Sequence, residues 1–186
     1  PLTPAISTPL FAAIATDTGW FRFNSVKEIT YQTAAKLLAG GAIPADIYQD
    51  LYERETAGRV RLRGTVLSRI QTEINGKLAH TFILPEDYEK TGALPTDTED
   101  LINLALEIDG TAFAVIIVGQ TSGGYKMSFR SRCESAANVI ASEFGGGGHK
   151  AAAGAFIDNN DFETVQSQVL KHVRSVLKAE YAMDAE

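Results

Sequence analysis

Residues 112–118, Ala-Phe-Ala-Val-Ile-Ile-Val, form an unbroken apolar run followed by the turn-forming Thr121-Ser122-Gly123-Gly124. A run this short cannot cross a bilayer as a helix, which takes about 20 residues. Its β-branched content suits a strand. With no polar side to show to water, such a strand belongs inside a sheet that is covered on both faces. The rest of the chain must therefore supply neighbouring strands and two covering layers.

The neighbours are legible. Residues 125–132 alternate, which places Tyr125, Met127 and Phe129 on one face and Lys126, Ser128, Arg130 and Arg132 on the other. Upstream, residues 69–73 and 78–84 read as strands flanking Asn75-Gly76, a strong signal for a tight two-residue hairpin. Residues 155–157 make a further short strand. Apolar spacing predicts helices over 26–39, stopped by Gly40-Gly41, and again from Pro44 through Ile47, Leu51 and Val60, with a break near Gly58. It predicts others over 98–108 (Leu101, Leu104, Ala105, Ile108), 135–144 and 162–177 (Val165, Val169, Val173, Val176). Near the start, the apolar run 10–14 reads as a buried strand or a helix end that delivers Thr16-Asp17-Thr18-Gly19 to a loop. The fold class is α/β: a helical segment and linker over 1–67, then a mixed-sheet α/β domain over 68–186.

Several function classes drop out on composition. A 186-residue chain with 45% hydrophobic and 22% charged residues has the makings of a packed core. Its formal charge of −6 is wrong for a protein that coats long nucleic acid, because that binding needs many phosphate contacts from a basic surface. Any phosphate site has to be small and local. One cysteine, Cys133, allows no internal disulfide and fits a reducing compartment. The three histidines, His80, His149 and His172, are never four residues apart, so no His-rich metal site can form on one helical face. With no long apolar span and a start that is neither basic nor apolar, the expectation is a soluble, cytoplasmic protein without a membrane segment.

Two features point to chemistry. In Phe144-Gly145-Gly146-Gly147-Gly148-His149-Lys150-Ala151-Ala152-Ala153-Gly154, four glycines sit between ordered elements. Such a loop can show bare backbone N–H groups to an anion, with His149 and Lys150 adding donors. It can equally be a glycine helix stop with a flexible joint. It is not a P-loop, which needs Gly-Lys followed by Ser or Thr. On the alternating strand, Arg130 and Arg132 lie about 7 Å apart along one side, a spacing that suits neighbouring phosphates. Taken alone that is an ordinary solvated strand face. Only a short helix separates it from the glycine run, so one compact unit could unite the two.

Phe129-Arg130-Ser131 followed by the Phe144–Gly154 motif resembles the C-terminal associated (DHHA-type) domain of DHH phosphoesterases, above all their bacterial nanoRNase/pAp phosphatase branch. Ala15-Thr16-Asp17-Thr18-Gly19-Trp20-Phe21-Arg22-Phe23-Asn24-Ser25 is similar to the last metal-site motif of the same family. The resemblance spans essentially the whole chain, and makes residues 1–67 the end of the catalytic DHH domain plus linker helices. It implies Asp17 as a manganese ligand and His149 as a catalytic group at the substrate phosphate. Gly146, Gly147 and Gly148 would contact that phosphate, and Arg130 would hold the nucleotide. Arg22, Arg132 and Lys150 are weaker candidates for substrate contact. The implied cofactor is a two-manganese site, and the implied substrates are short oligonucleotides or 3′-phosphoadenosine 5′-phosphate.

The family's three earlier motifs, including the Asp-His-His triplet, do not occur in this sequence. The expectation is therefore a substrate-binding part that is inactive without an N-terminal DHH region; a homodimer is left open. The alternatives are a non-catalytic nucleic-acid-binding module, like the similar domain appended to alanyl-tRNA synthetases, or another DHH enzyme. Among the latter are RecJ-like exonucleases, cyclic dinucleotide phosphodiesterases and polyphosphatases. A metal-ligand motif at Asp17 has no use in a pure binding module and favours the enzyme. Trp20, Phe21 and Phe23 suit core packing or a domain interface better than base stacking.

Overall fold

The computed structural model describes residues 1–159 and 161–183. Its helices are α1 (Pro4–Asp17), α2 (Glu28–Ala39), α3 (Pro44–Tyr52), α4 (Ala57–Ser68), α5 (Pro85–Thr91), α6 (Ala137–Ser142) and α7 (Phe162–Met183). Its strands are β1 (Gln71–Glu73), β2 (Leu78–Ile83), β3 (Phe113–Gly119), β4 (Tyr125–Ser131), β5 (Gly147–His149) and β6 (Ala152–Ile157). Two units separate between Glu55 and Thr56.

In the second unit the strands form one mixed sheet in the order β1-β2-β3-β4-β6-β5, with β2 and β3 parallel and the other neighbours antiparallel. The apolar run is β3, and every residue in it is buried. Paired residues of adjacent strands point to the same side. One face thus carries Phe113, Val115 and Ile117 of β3 with Tyr125, Met127 and Phe129 of β4 and Ala153 and Ala155 of β6. It is covered by Ala137, Ile140 and Ala141 of α6 and by Val165, Val169, Val173 and Leu177 of α7. Each buried Val, Leu or Ile side chain there contributes about 1.5–3 kcal/mol.

The opposite face is covered on one side only. Over β2 and β3, Ala79, Ile83, Ala114, Ile116 and Val118 meet Leu62 and Val66 of α4 and the buried residues of a 3₁₀ segment, Leu101–Glu107. Across β4, β6 and β5 the same face is open, with Lys126, Gly147, His149 and Phe156 exposed and Ser128, Arg130, Ala152 and Gly154 half-buried.

The first unit holds α1, α2 and α3 around Phe11, Ala15, Ala34, Leu37, Ala42 and Ile47. Gly40 ends α2 and Gly41 takes a left-handed φ of 97°, as the expected stop requires.

Several expectations need correction. Residues 98–108 form no amphipathic α-helix. Asp100 adopts a left-handed φ of 62° between the 3₁₀ segments Pro95–Thr98 and Leu101–Glu107, so no α-helix runs through it; Leu101, Ile102, Leu104, Ala105 and Leu106 are buried while Asn103 and Glu107 stay exposed. The hairpin after β1 is closed by four residues, not two, because Glu73 pairs with Leu78 and both Ile74 and Asn75 are left-handed. The helix from Pro44 ends at Tyr52, and a separate α4 leaves Val60 exposed; Gly58 lies buried in the first turn of α4, after the break. Helix α4, grouped above with the linker, packs its Leu62 and Val66 against the sheet unit. Finally, Gly147 and Gly148 are strand rather than loop.

Candidate functional site

The open half of the sheet is ruled into rows by its register. Arg130 pairs with Ala152 and Ala152 with His149; Ser128 pairs with Gly154 and Gly154 with Gly147; Lys126 pairs with Phe156. Strands lie about 4.8 Å apart, so Arg130 and His149 flank Ala152 with backbones about 10 Å apart, and successive rows are about 7 Å apart. The small residues Ala152, Gly154 and Gly147 leave a floor onto which long polar side chains can converge. Arg130 Nη1 donates to the Phe129 carbonyl, 3.2 Å away. Among the described residues neither Arg130 nor Lys126 is paired with a carboxylate. Two unpaired cations and an exposed imidazole beside bare backbone make a surface for an anion.

The glycines divide the work. A Cβ on Gly146 would strike the carbonyl oxygen of Gly154, and one on Gly148 would come 2.6 Å from the Ala152 carbonyl oxygen. These two positions let β5 lie close against β6. A Cβ on Gly147 would meet nothing within 4 Å. Packing therefore demands glycine at 146 and 148, whereas at 147 the missing side chain only keeps the outer surface clear.

A cavity of about 230 Å³ continues the face toward the 3₁₀ segments, lined by Glu99, Asp100, Ile116, Lys126, Ser128 and Arg130 among others. Arg132 turns away from the rows. Its Nη1 donates to the Leu106 carbonyl at 2.8 Å and fastens the 3₁₀ segment to the end of β4. Lys150 lies 3.0 Å from Glu134 in an exposed pair, which by itself contributes little. The structure thus brings together Arg130, His149 and Gly147, and directs Arg132 and Lys150 to other partners. Phe156, 51% exposed on the same face, escaped the sequence reading. The signal was there: within Ala152–Ile157 the alternation that buries Ala153 and Ala155 turns Phe156 outward.

Asp17 and Arg22 belong to the first unit. Asp17 is exposed at the last position of α1. After it Gly19, Trp20 and Phe21 are all left-handed, with φ of 56°, 60° and 63°. Such a conformation costs bulky residues about 1–2 kcal/mol each. Packing offsets it, since Trp20 meets Phe11, Tyr48 and Tyr52 edge-on. Thr18 Oγ1 accepts from the Phe21 amide at 3.1 Å and donates to Ile14 O at 2.7 Å, and Arg22 Nε donates to Gly19 O at 2.7 Å. The tight turn presents Asp17 beside a shallow cavity of about 310 Å³ lined by Ile14, Thr18, Ser25, Ile29, Thr30 and Thr33. Manganese takes about six oxygen or nitrogen donors. Among the described residues no three His, Cys, Asp or Glu side chains come together. Asp17 is one carboxylate, and these residues do not by themselves compose a metal centre.

Residues 75–179 match the DHHA1 domain. The chain belongs to the DHHA1 family. That bears out the resemblance to the associated domain of DHH proteins and the mixed α/β fold expected with it. The DHHA1 chain is 37% identical over 175 residues to a Thermus thermophilus protein, the bifunctional oligoribonuclease and PAP phosphatase NrnA, covering 94% of this chain and 52% of that one. The Bacillus subtilis protein of the same name is 29% identical over 148 residues, 80% of this chain and 46% of its own length. The chain thus spans about half the length of the curated relatives it matches. A crystal structure of an exopolyphosphatase-related protein from Bacteroides fragilis superposes with a TM-score of 0.76 at 31% identity, over 89% of this chain and 49% of that one. A pGpG-specific phosphodiesterase from Vibrio shares the fold, with a TM-score of 0.52 at 15% identity. No described helix is long and apolar enough to cross a membrane.

Proposed function

We propose that this DHHA1 chain is the substrate-holding part of a phosphoesterase that acts on short oligonucleotides and on 3′-phosphoadenosine 5′-phosphate. The observation that carries the reading is the row Arg130–Ala152–His149 on an uncovered sheet face, with Ser128 and the bare Gly147 in the adjoining row. Arg130 offers a planar fork of N–H donors to a phosphate, and His149 approaches the same anion from the sheet edge. The kinship with proteins named as oligoribonucleases and PAP phosphatases supports a nucleotide as the ligand.

In this reading Asp17 contributes one carboxylate to a manganese site, and Arg22 lies near it as a further cation for substrate. The other metal ligands would come from an N-terminal DHH region equivalent to the remaining half of the relatives. Manganese would supply the activated water and polarise the phosphoryl group. This chain's own residues bind and orient the substrate. A reducing, cytoplasmic setting suits such substrates and the lone Cys133.

The test pairs binding with turnover. Fluorescence anisotropy of a 5′-phosphorylated dinucleotide on this chain should show binding that Arg130→Ala weakens about 10- to 100-fold, the loss of a charge-assisted contact. In the full-length protein with Mn²⁺, His149→Ala should lower kcat/KM by a similar factor. Dinucleotide binding without hydrolysis in the full-length protein would make this a nucleotide-binding module. Displacement of the dinucleotide by inorganic polyphosphate at lower concentration than by 3′-phosphoadenosine 5′-phosphate would move the substrate class to polyphosphate.

A further inference from the structure

Packing accounts for only part of Phe156. Half of its surface is open, while its sequence neighbours Ala155 and Ile157 turn toward the core. It stands on a face whose other functional groups are cations, a glycine floor and an imidazole. Its ring is also seated: a Cβ on Gly124, where φ is 75°, would run into the ring's Cζ, so the absence of a side chain there gives the ring its place. A held, exposed aromatic ring is the device by which proteins stack on a base, since every base offers a π-face whatever its sequence.

Its position states which base. Phe156 lies four residues along β6 from Ala152, the centre of the Arg130–Ala152–His149 row. That is about 13 Å along the strand. A base is joined to its own phosphate through a single sugar, which is too short a link to bridge that distance; the base of the adjoining nucleotide is in reach. Lys126, directly across from Phe156 in the register, stands ready for the second phosphate.

Resting on the function proposed above, we propose that Phe156 stacks the second nucleobase of the substrate, with Lys126 at its phosphate. The face then has two subsites, and the outer one distinguishes a dinucleotide from a mononucleoside bisphosphate.

The experiment measures binding of two ligands, a 5′-phosphorylated dinucleotide and 3′-phosphoadenosine 5′-phosphate, to this chain and to its Phe156→Ala, Phe156→Leu and Phe156→Tyr variants. Circular dichroism confirms that each is folded; Phe156→Leu keeps an apolar side chain and removes only the ring. Stacking gives about a tenfold loss of dinucleotide affinity in the Ala and Leu variants, near-full affinity in the Tyr variant, and an unchanged affinity for the bisphosphate in all. If the parent chain binds both ligands and all variants bind the dinucleotide as it does, the inference is overturned and the function reading stands. An equal loss for both ligands also overturns it, placing Phe156 in the inner subsite or in the fold. A parent chain that binds neither ligand overturns the function reading and the inference together.

Discussion

Gly146, Gly147 and Gly148 are indistinguishable as letters and different as atoms. Alanine at 146 forces a Cβ into the Gly154 carbonyl, a backbone atom held by the ladder, and alanine at 148 meets the Ala152 carbonyl at 2.6 Å with an unfavourable φ of 147°. Each substitution should destabilise the protein by about 1–3 kcal/mol, the usual cost of overpacking. Gly147→Ala meets open space, so its thermal unfolding midpoint should stay near that of the parent. The added methyl group stands on the open face, however, and should weaken dinucleotide binding. Thermal melts and anisotropy on the three variants separate the effects. If Gly147→Ala bound normally and Gly146→Ala melted normally, this division of roles would be wrong. The sequence could mark the run as an anion loop or a helix stop, but which glycine serves which purpose depends on the pairing with Ala152 and Gly154, and no local pattern encodes that.

At the level of elements, legibility followed periodicity. Strand β4 could be read because Lys126, Ser128 and Arg130 alternate with buried Tyr125, Met127 and Phe129, and β3 because seven apolar residues leave no face for water. The segment after Asp100 misled because exposed Asn103 and Glu107 interrupt its buried leucines at a helix-like spacing, and that spacing does not reveal that Asp100 is left-handed or that the turns are 3₁₀. Equally silent was the tie between β1 and α7. Arg174 donates to both Glu73 oxygens, from Nε at 2.6 Å and Nη2 at 2.8 Å, and His80 Nε2 lies 2.8 Å from Oε1. Partners 101 residues apart leave no mark in local sequence. The Arg174 bonds, joined by that of His80, overcome partial burial and hold the Glu73 carboxyl at about 2, against an ordinary 4.5.

A depressed carboxylate pKa contributes stability that is complete above the unfolded value and is lost as pH falls toward the folded one. The parent should therefore lose stability between pH 4.5 and pH 2 more steeply than Glu73→Gln, which keeps the shape and removes the titration. Urea midpoints across that range decide it; parallel curves would show that the network adds nothing. Helix α4 gives a second test at this scale. A chain starting at Thr56 should unfold cooperatively, whereas one starting after Ser68 loses Leu62 and Val66, both fully buried, and should be weaker by about 3–6 kcal/mol. Equal stability of the two would detach α4 from the sheet unit.

Over the whole molecule, the charge of −6 and the cationic rows pull in opposite directions. An acidic protein repels a polyanion at long range and can hold a phosphate only where a few cations are fixed at short range. Arg130 and Lys126 are such cations, standing on one strand four residues apart. Each neutralised phosphate contributes about −0.7 to the slope of log K against log salt concentration for single strands. A dinucleotide held by these two should show a slope of about −1.4, and Lys126→Ala should bring it to about −0.7 while Arg130 still holds the inner phosphate. Lengthening the ligand to an octanucleotide should leave the slope almost unchanged, because no further fixed cations continue the rows across Gly147, Gly154 and Ala152. A slope that steepened with each added nucleotide would mean that the chain tracks a long backbone, and the two-subsite face would then be one stretch of a larger nucleic-acid surface.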